Sequence, residues 1–206
     1  MRRFSKIKKF IPLLTAAAII VCPTNFVNAE PPALSEEIFT WVQATDRGNY
    51  YFNHQQIGYL IKEDHTLDLN VLVVPTICIY DEIQIQDVVQ KRRWRMLPSA
   101  GYGSLIGRAD YLKFDLKNGT VQITERDDLD STFSALEKDT SGEPIALSNF
   151  SDQDVTCKFY KAILQWAKEH NEIMIKRSWA KLSEEDSKLA PEDMPINKLL
   201  LSNNET

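Results

Sequence analysis

The run from Leu69 to Tyr80 constrains this chain most, because Val71-Leu72-Val73-Val74 and Ile77-Cys78-Ile79 leave almost no polar position in it. A near-continuous β-branched stretch of this kind predicts a strand buried on both faces, at the centre of a sheet. Pro75 interrupts the run and has no amide to donate, which predicts a bulge or an edge there. A second signal lies downstream. Tyr111 to Leu116 alternates in polarity, Thr120 to Glu125 reads as a further strand, and Asn118-Gly119 stands between them. That dipeptide between two such runs is the strongest short-range hairpin signal.

Around this β centre the remaining elements follow from pattern and punctuation. Leu34 to Val42 predicts a short helix capped by Ser35, with Ile38, Phe39 and Val42 on one side and Trp41 as an anchor. Tyr50-Tyr51-Phe52 and Ile57 to Ile61 predict two short strands around the polar Asn53 to Gln56. Asp81 to Trp94 fits a strand through Ile83, Ile85 and Val89, but a helix through Ile85, Val88, Val89 and Arg92; Asp81 with Gln84 as a capping pair favours the helix. Pro98 to Gly107 is a glycine-bearing loop, and the acidic stretch from Glu125 to Gly142 predicts loop with a short helix at most. Pro144 to Leu147 returns briefly to the sheet. From Asp152 to Arg177 the residues Val155, Phe159, Ile163, Trp166 and His170 recur at spacings of three and four, which predicts one long amphipathic helix. The fold class expected is α+β: an antiparallel sheet or meander packed by a long C-terminal helix.

Met1 to Ala29 carries the marks of a cleaved secretory signal peptide. Arg2, Arg3, Lys6, Lys8 and Lys9 are basic, Phe10 to Val21 is apolar, and Val27-Asn28-Ala29 offers a small-residue cleavage site. The apolar run is well short of the ~20 residues a spanning helix needs. The expected organisation is a leader over 1–29, one α+β domain over 30–180 and a polar, partly disordered tail over 181–206. Five of the 24 Lys and Arg residues leave with the leader, so 19 remain against 29 Asp and Glu, a net charge of −10. Such a body disfavours nucleic acid as a partner, since that binding draws on clustered positive charge. Export places the chain outside the cytoplasm, secreted or in the periplasm and cell envelope, with no transmembrane segment in the mature part. Cys22 also leaves, and the remaining Cys78 and Cys157 are expected to form one disulfide there.

No catalytic residue, metal ligand or cofactor is assigned from the sequence. His54, His65 and His170 show no metal-ligand spacing. Gly101 to Gly107 holds three glycines without the βαβ context or spacing of a dinucleotide loop, and turn geometry accounts for them. Glu125, Asp127, Asp128 and Asp130 form an acidic knot that fails as an EF-hand because Phe133 stands where glycine is needed. Lys91-Arg92-Arg93-Trp94-Arg95 is the basic run in an otherwise acidic body. Four cations around an indole suit an anionic envelope or host-surface component, such as a polymer or lipid head group.

The early Trp41, the Tyr50-Tyr51-Phe52 strand, Ile57, an antiparallel meander and a late helix carrying Cys157 together resemble small exported bacterial proteins described as surface-adhesin E-like. The run from Ile83 to Gln90 is similar to runs in uncharacterised secreted proteins of anaerobic bacteria. The resemblance covers roughly Trp41 to Trp166 and implies a sheet with packed helices and a binding role at the cell surface. The function expected is that of a non-enzymatic, adhesin-like envelope or surface binding protein. The alternative is a small extracytoplasmic hydrolase in which His54 and His65 converge with Asp127 to Asp130.

Overall fold

The computed structural model describes residues 33–202; the expected leader lies outside them. Eight strands form one antiparallel sheet: β1 (Phe39–Thr45), β2 (Gly48–Asn53), β3 (Gly58–Ile61), β4 (Leu67–Tyr80), β5 (Leu105–Asp115), β6 (Thr120–Asp130), β7 (Ala135–Asp139) and β8 (Ile145–Ala146). The order across the sheet is β1-β2-β4-β5-β6-β7, with β3 also against β4 and β8 also against β6. Four α-helices accompany it: α1 (Glu82–Trp94), α2 (Val155–Glu169), α3 (Asn171–Arg177) and α4 (Pro195–Ser202). The class is therefore α+β, built on an antiparallel sheet.

β4 is the central strand, but its burial is one-sided. Leu72, Val74, Thr76, Cys78 and Tyr80 are buried, whereas Val71, Val73, Pro75 and Ile77 are only half-buried. The helices cover one face, as an antiparallel sheet permits. Pro75 marks neither an edge nor a bulge. On one side it pairs with Tyr111 of β5 without a register shift; on the other, pairing passes from β3, ending at Val73, to β2, beginning at Thr76. The missing amide falls in that gap.

The Asn118-Gly119 hairpin joins β5 to β6 as expected, with Asp115 opposite Thr120. α1 is a helix, and the Asp81 carboxylate accepts from the Gln84 amide at 2.7 Å. Leu34 to Val42 is not helical: Glu36 to Ile38 turn and the chain enters β1 at Phe39, because pairing with β2 outweighs the weak amphipathic spacing. Glu125 to Gly142 is not a loop either. β6 continues to Asp130 and β7 pairs back onto it from Arg126 to Leu129, an edge strand whose charged residues hide its alternation.

The long C-terminal helix is two helices. α2 ends at Glu169 and α3 starts at Asn171, with His170 between them outside helical geometry at φ −111° and ψ 18°. The His170 ring stacks on Trp166 at 4.1 Å between centroids, and its Nδ1 lies 2.9 Å from the Trp166 carbonyl oxygen. Asn171 then turns inward to accept from the buried Tyr59 hydroxyl at 2.7 Å.

Two apolar clusters fill the covered face. In the larger one, Phe52, Leu72, Val74, Leu112 and Phe114 of the sheet meet Phe159, Ile163, Leu164 and Ala167 of α2. The smaller gathers Cys78, Tyr80, Tyr102 and Leu105 beneath Ile85, Val88 and Val89 of α1. The segment read as a polar tail reaches the larger cluster: Ile196 is fully buried in it, and Leu182, Leu189, Met194 and Leu199 pack against it. Cys78 on β4 and Cys157 on α2 are both buried free thiols, so the expected disulfide is not formed. Among the described residues no helix is long and apolar enough to cross a membrane.

Candidate functional site

The basic run occupies the end of α1, and its five residues divide. Arg92 is buried, pairs with Glu137 of β7, and donates to the Pro98 carbonyl from Nε at 3.0 Å and Nη2 at 2.6 Å. It lies over the ring of Tyr102, a member of the smaller apolar cluster, and so acts as a structural cation. Lys91, Arg93, Trp94 and Arg95 are exposed, Trp94 at 81%, and Met96 beyond them is 93% exposed. Lys91 and Arg95 border a shallow groove shared with Glu137, Lys138 and Asp139. Three free cations and two large apolar side chains therefore project from one end of the helix.

A second polar group lies on the covered face, between the two apolar clusters. The register places Tyr50, Cys78, Arg108, Asp128 and Glu137 in one row across five strands, and Phe52, Thr76, Asp110, Arg126 and Asp139 in the next. Asp110 is the hub. Its Oδ1 lies 2.6 Å from Arg126 Nε and its Oδ2 3.0 Å from Arg108 Nε, with its side chain only 11% exposed. Thr76 Oγ1 fixes the strand beneath by donating to the Asp110 carbonyl at 2.9 Å.

This group floors a partly enclosed cavity of about 200 Å³ whose walls include Tyr50, Leu112, Phe159 and Tyr160. Two guanidiniums face one carboxylate in it. Arg108 Nε is buried and its N–H finds no aligned hydrogen-bond acceptor, although Asp110 is within ion-pair distance. An unmet buried donor costs about 1–3 kcal/mol. Burial pulls the Arg108 pKa down, but Asp110 and the hydroxyl and thiol groups around it outweigh that and raise it. Burial also raises Tyr50, with the Cys78 thiol as the next cause, and pushes Tyr160 up to about 12. The Cys78 thiol is pushed up to about 11 by burial, which leaves it protonated and without a nucleophile's thiolate character at neutral pH. The cavity thus offers fixed cations and neutral donors, a set suited to holding an anion.

The residues that the hydrolase alternative requires are not brought together. His54 Nδ1 lies 3.1 Å from Thr40 Oγ1 and its ring packs near Trp166, while His65 sits in an exposed turn at φ 60°. Neither is hydrogen-bonded to the acidic knot, which itself separates by strand alternation. Glu125 and Asp127 meet Lys138, at 2.5 and 3.5 Å. Asp128 accepts from the Tyr102 hydroxyl at 2.8 Å, and Asp130 folds the β6–β7 turn by accepting from Thr132 and Ser134. Among the described residues no cluster of three or more His, Cys, Asp or Glu is placed to hold a metal.

Arg108, Asp110 and Arg126 carry no motif, and the sequence reading passes over them. Strand parity does point to them. Leu112 and Phe114 face the core, so Asp110 and Arg108, two and four residues before Leu112, share their face. A charge in phase with a buried face is the informative signal.

Comparisons with protein-family models, curated proteins and solved structures give no match for this chain.

Proposed function

We propose that the chain is a non-enzymatic binding protein of the cell envelope that docks on an anionic lipid surface through the end of α1. The observation that carries this reading is the joint exposure of Lys91, Arg93, Trp94, Arg95 and Met96. A cation near an anionic leaflet contributes about 1 kcal/mol, and an indole favours the interface between water and lipid tails. Three such cations supply about a hundredfold in binding, to which Trp94 and Met96 add apolar insertion. The rest of the acidic body is repelled from the same surface, which limits contact to this end. Glu137 and Asp139 lie close by, but the Glu137 charge is engaged by Arg92.

Export by the leader Met1 to Ala29 brings the chain to such a surface and is part of the proposal, as is the adhesin-like role. Sedimentation with lipid vesicles tests it. The chain should bind phosphatidylglycerol vesicles at low salt, release at high salt, and leave phosphatidylcholine vesicles unbound. Arg93→Glu with Arg95→Glu, or Trp94→Ala, should reduce binding at least about tenfold. Equal sedimentation of these variants and the native chain overturns the reading, as does capture by a soluble envelope polymer with no binding to vesicles.

A further inference from the structure

We infer that the cavity between α2 and the sheet is a binding site for a small organic anion, a carboxylate carried on a single aromatic ring. The charge of the ligand follows from the floor. Arg108 and Arg126 each carry five N–H donors, and their one carboxylate partner, Asp110, engages Nε of each and approaches a single Nη of Arg126. Among the described residues the buried Arg108 Nε is ion-paired with Asp110 at 3.0 Å but forms no aligned hydrogen bond. A second carboxylate beside Asp110 meets those donors in the forked geometry that guanidinium favours. A cation is repelled by both arginines. A neutral acceptor meets those donors without charge assistance and so more weakly.

The size and shape of the ligand follow from the walls. Phe159 and Tyr160 of α2 present aromatic surface across from the sheet that carries the arginines, and Leu112 adds apolar surface beside Asp110 on β5. A cavity of about 200 Å³ is larger than the roughly 150 Å³ that accommodates benzene and smaller than the roughly 300 Å³ at which drug-sized pockets begin. One ring with a short carboxylate arm fits these bounds. Inorganic phosphate satisfies the arginines but leaves the aromatic wall without a partner.

Phenylacetate titrated into the nitrogen-15-labelled full chain tests the assignment, read by the arginine Nε–H resonances. Saturable shifts of the Arg108 and Arg126 signals are expected, with phenylacetamide, the neutral counterpart, at least about tenfold weaker. Thr156→Trp, at the cavity rim on α2, should abolish binding without altering any charge. The amide comparison uses the native chain and holds whether or not that variant folds. No saturable shift up to about 10 mM, equal binding of acid and amide, inorganic phosphate binding as well as phenylacetate, or undiminished binding by a folded Thr156→Trp protein each overturns the inference.

Discussion

The guanidinium carbon of Arg92 lies 3.9 Å above the centre of the Tyr102 ring. Arg92 and the Tyr102 hydroxyl, which reaches Glu137 Oε2 at 3.0 Å, share that carboxylate. One arginine thereby joins α1, the loop at Pro98, β7 and the turn at Tyr102. Arg92→Ala leaves the Pro98 carbonyl and Glu137 without their cation and should cost about 2–3 kcal/mol, reduced from the fully buried case because Glu137 is half exposed. Arg92→Lys should recover little, since an ammonium lacks both the fork and the planar stacking face. Arg93→Ala and Arg95→Ala should stay within about 0.5 kcal/mol. Urea unfolding of the four variants checks the contrast.

Tyr59 and Asn171 form a buried pair between β3 and the start of α3. Burial raises the Tyr59 pKa, so its hydroxyl remains a donor at any physiological pH. Tyr59→Phe leaves the Asn171 oxygen unmet and should destabilise by about 1–2 kcal/mol. Asn171→Ala should cost at least as much. A double-mutant cycle measured by denaturant unfolding should show coupling of about 1 kcal/mol; additive costs would show that the contact contributes nothing beyond packing.

Three turns share one acid-sensitive device. Asp64, Asp130 and Asp139 each accept from the hydroxyl two residues on, at Thr66, Thr132 and Ser141, and these hydroxyls are the leading cause of their lowered pKa values. A carboxyl lowered in the folded state contributes stability that is fully present above its unfolded value near ~3.9. That contribution is lost as pH falls through the lowered folded value. The triple Asp→Asn variant should therefore lose less stability than the native chain between about pH 4 and pH 2. Urea midpoints across that range give the slope, and identical slopes would remove these turns from the acid response.

Cys78 and Cys157 are buried and free. A thiol-specific reagent at neutral pH should leave both unmodified in the folded chain and label both once the chain is denatured without reductant. Peptide mass mapping distinguishes the sites. A denatured, unreduced chain that resists labelling at both positions would establish the disulfide and refute the free-thiol state.

Much of the fold was legible where local chemistry and tertiary context agree. Asn118-Gly119 specified the β5–β6 hairpin and Asp81 with Gln84 the start of α1, because a turn and a cap act within a few residues. The misses have a common physical origin in long-range pairing. β1 and β7 are edge strands held by their partners, and the Glu137-Lys138-Asp139 stretch shows no alternation of its own. The break at His170 was hidden because Trp166 and His170 continue the helical spacing, while the turn inward depends on Tyr59, more than a hundred residues earlier. The basic run was visible as composition, but the burial of Arg92 was set by Glu137 and Tyr102. Arg108, Asp110 and Arg126 carry no motif, and the register places them on the inner face.

Pro75 has a consequence for how copies of this chain meet one another. Between the end of β2, where Phe52 pairs with Thr76, and the start of β3, where Gly58 pairs with Val73, the Val74 and Pro75 backbone has no strand partner on that flank, although the Val74 side chain is fully buried. An unpaired stretch on so apolar a strand becomes a template for a foreign strand whenever the neighbouring turn opens. A proline there withholds one of the donors that an incoming strand would need. The ring that interrupts this apolar run thus acts as a gatekeeper at an unpaired position of the central strand.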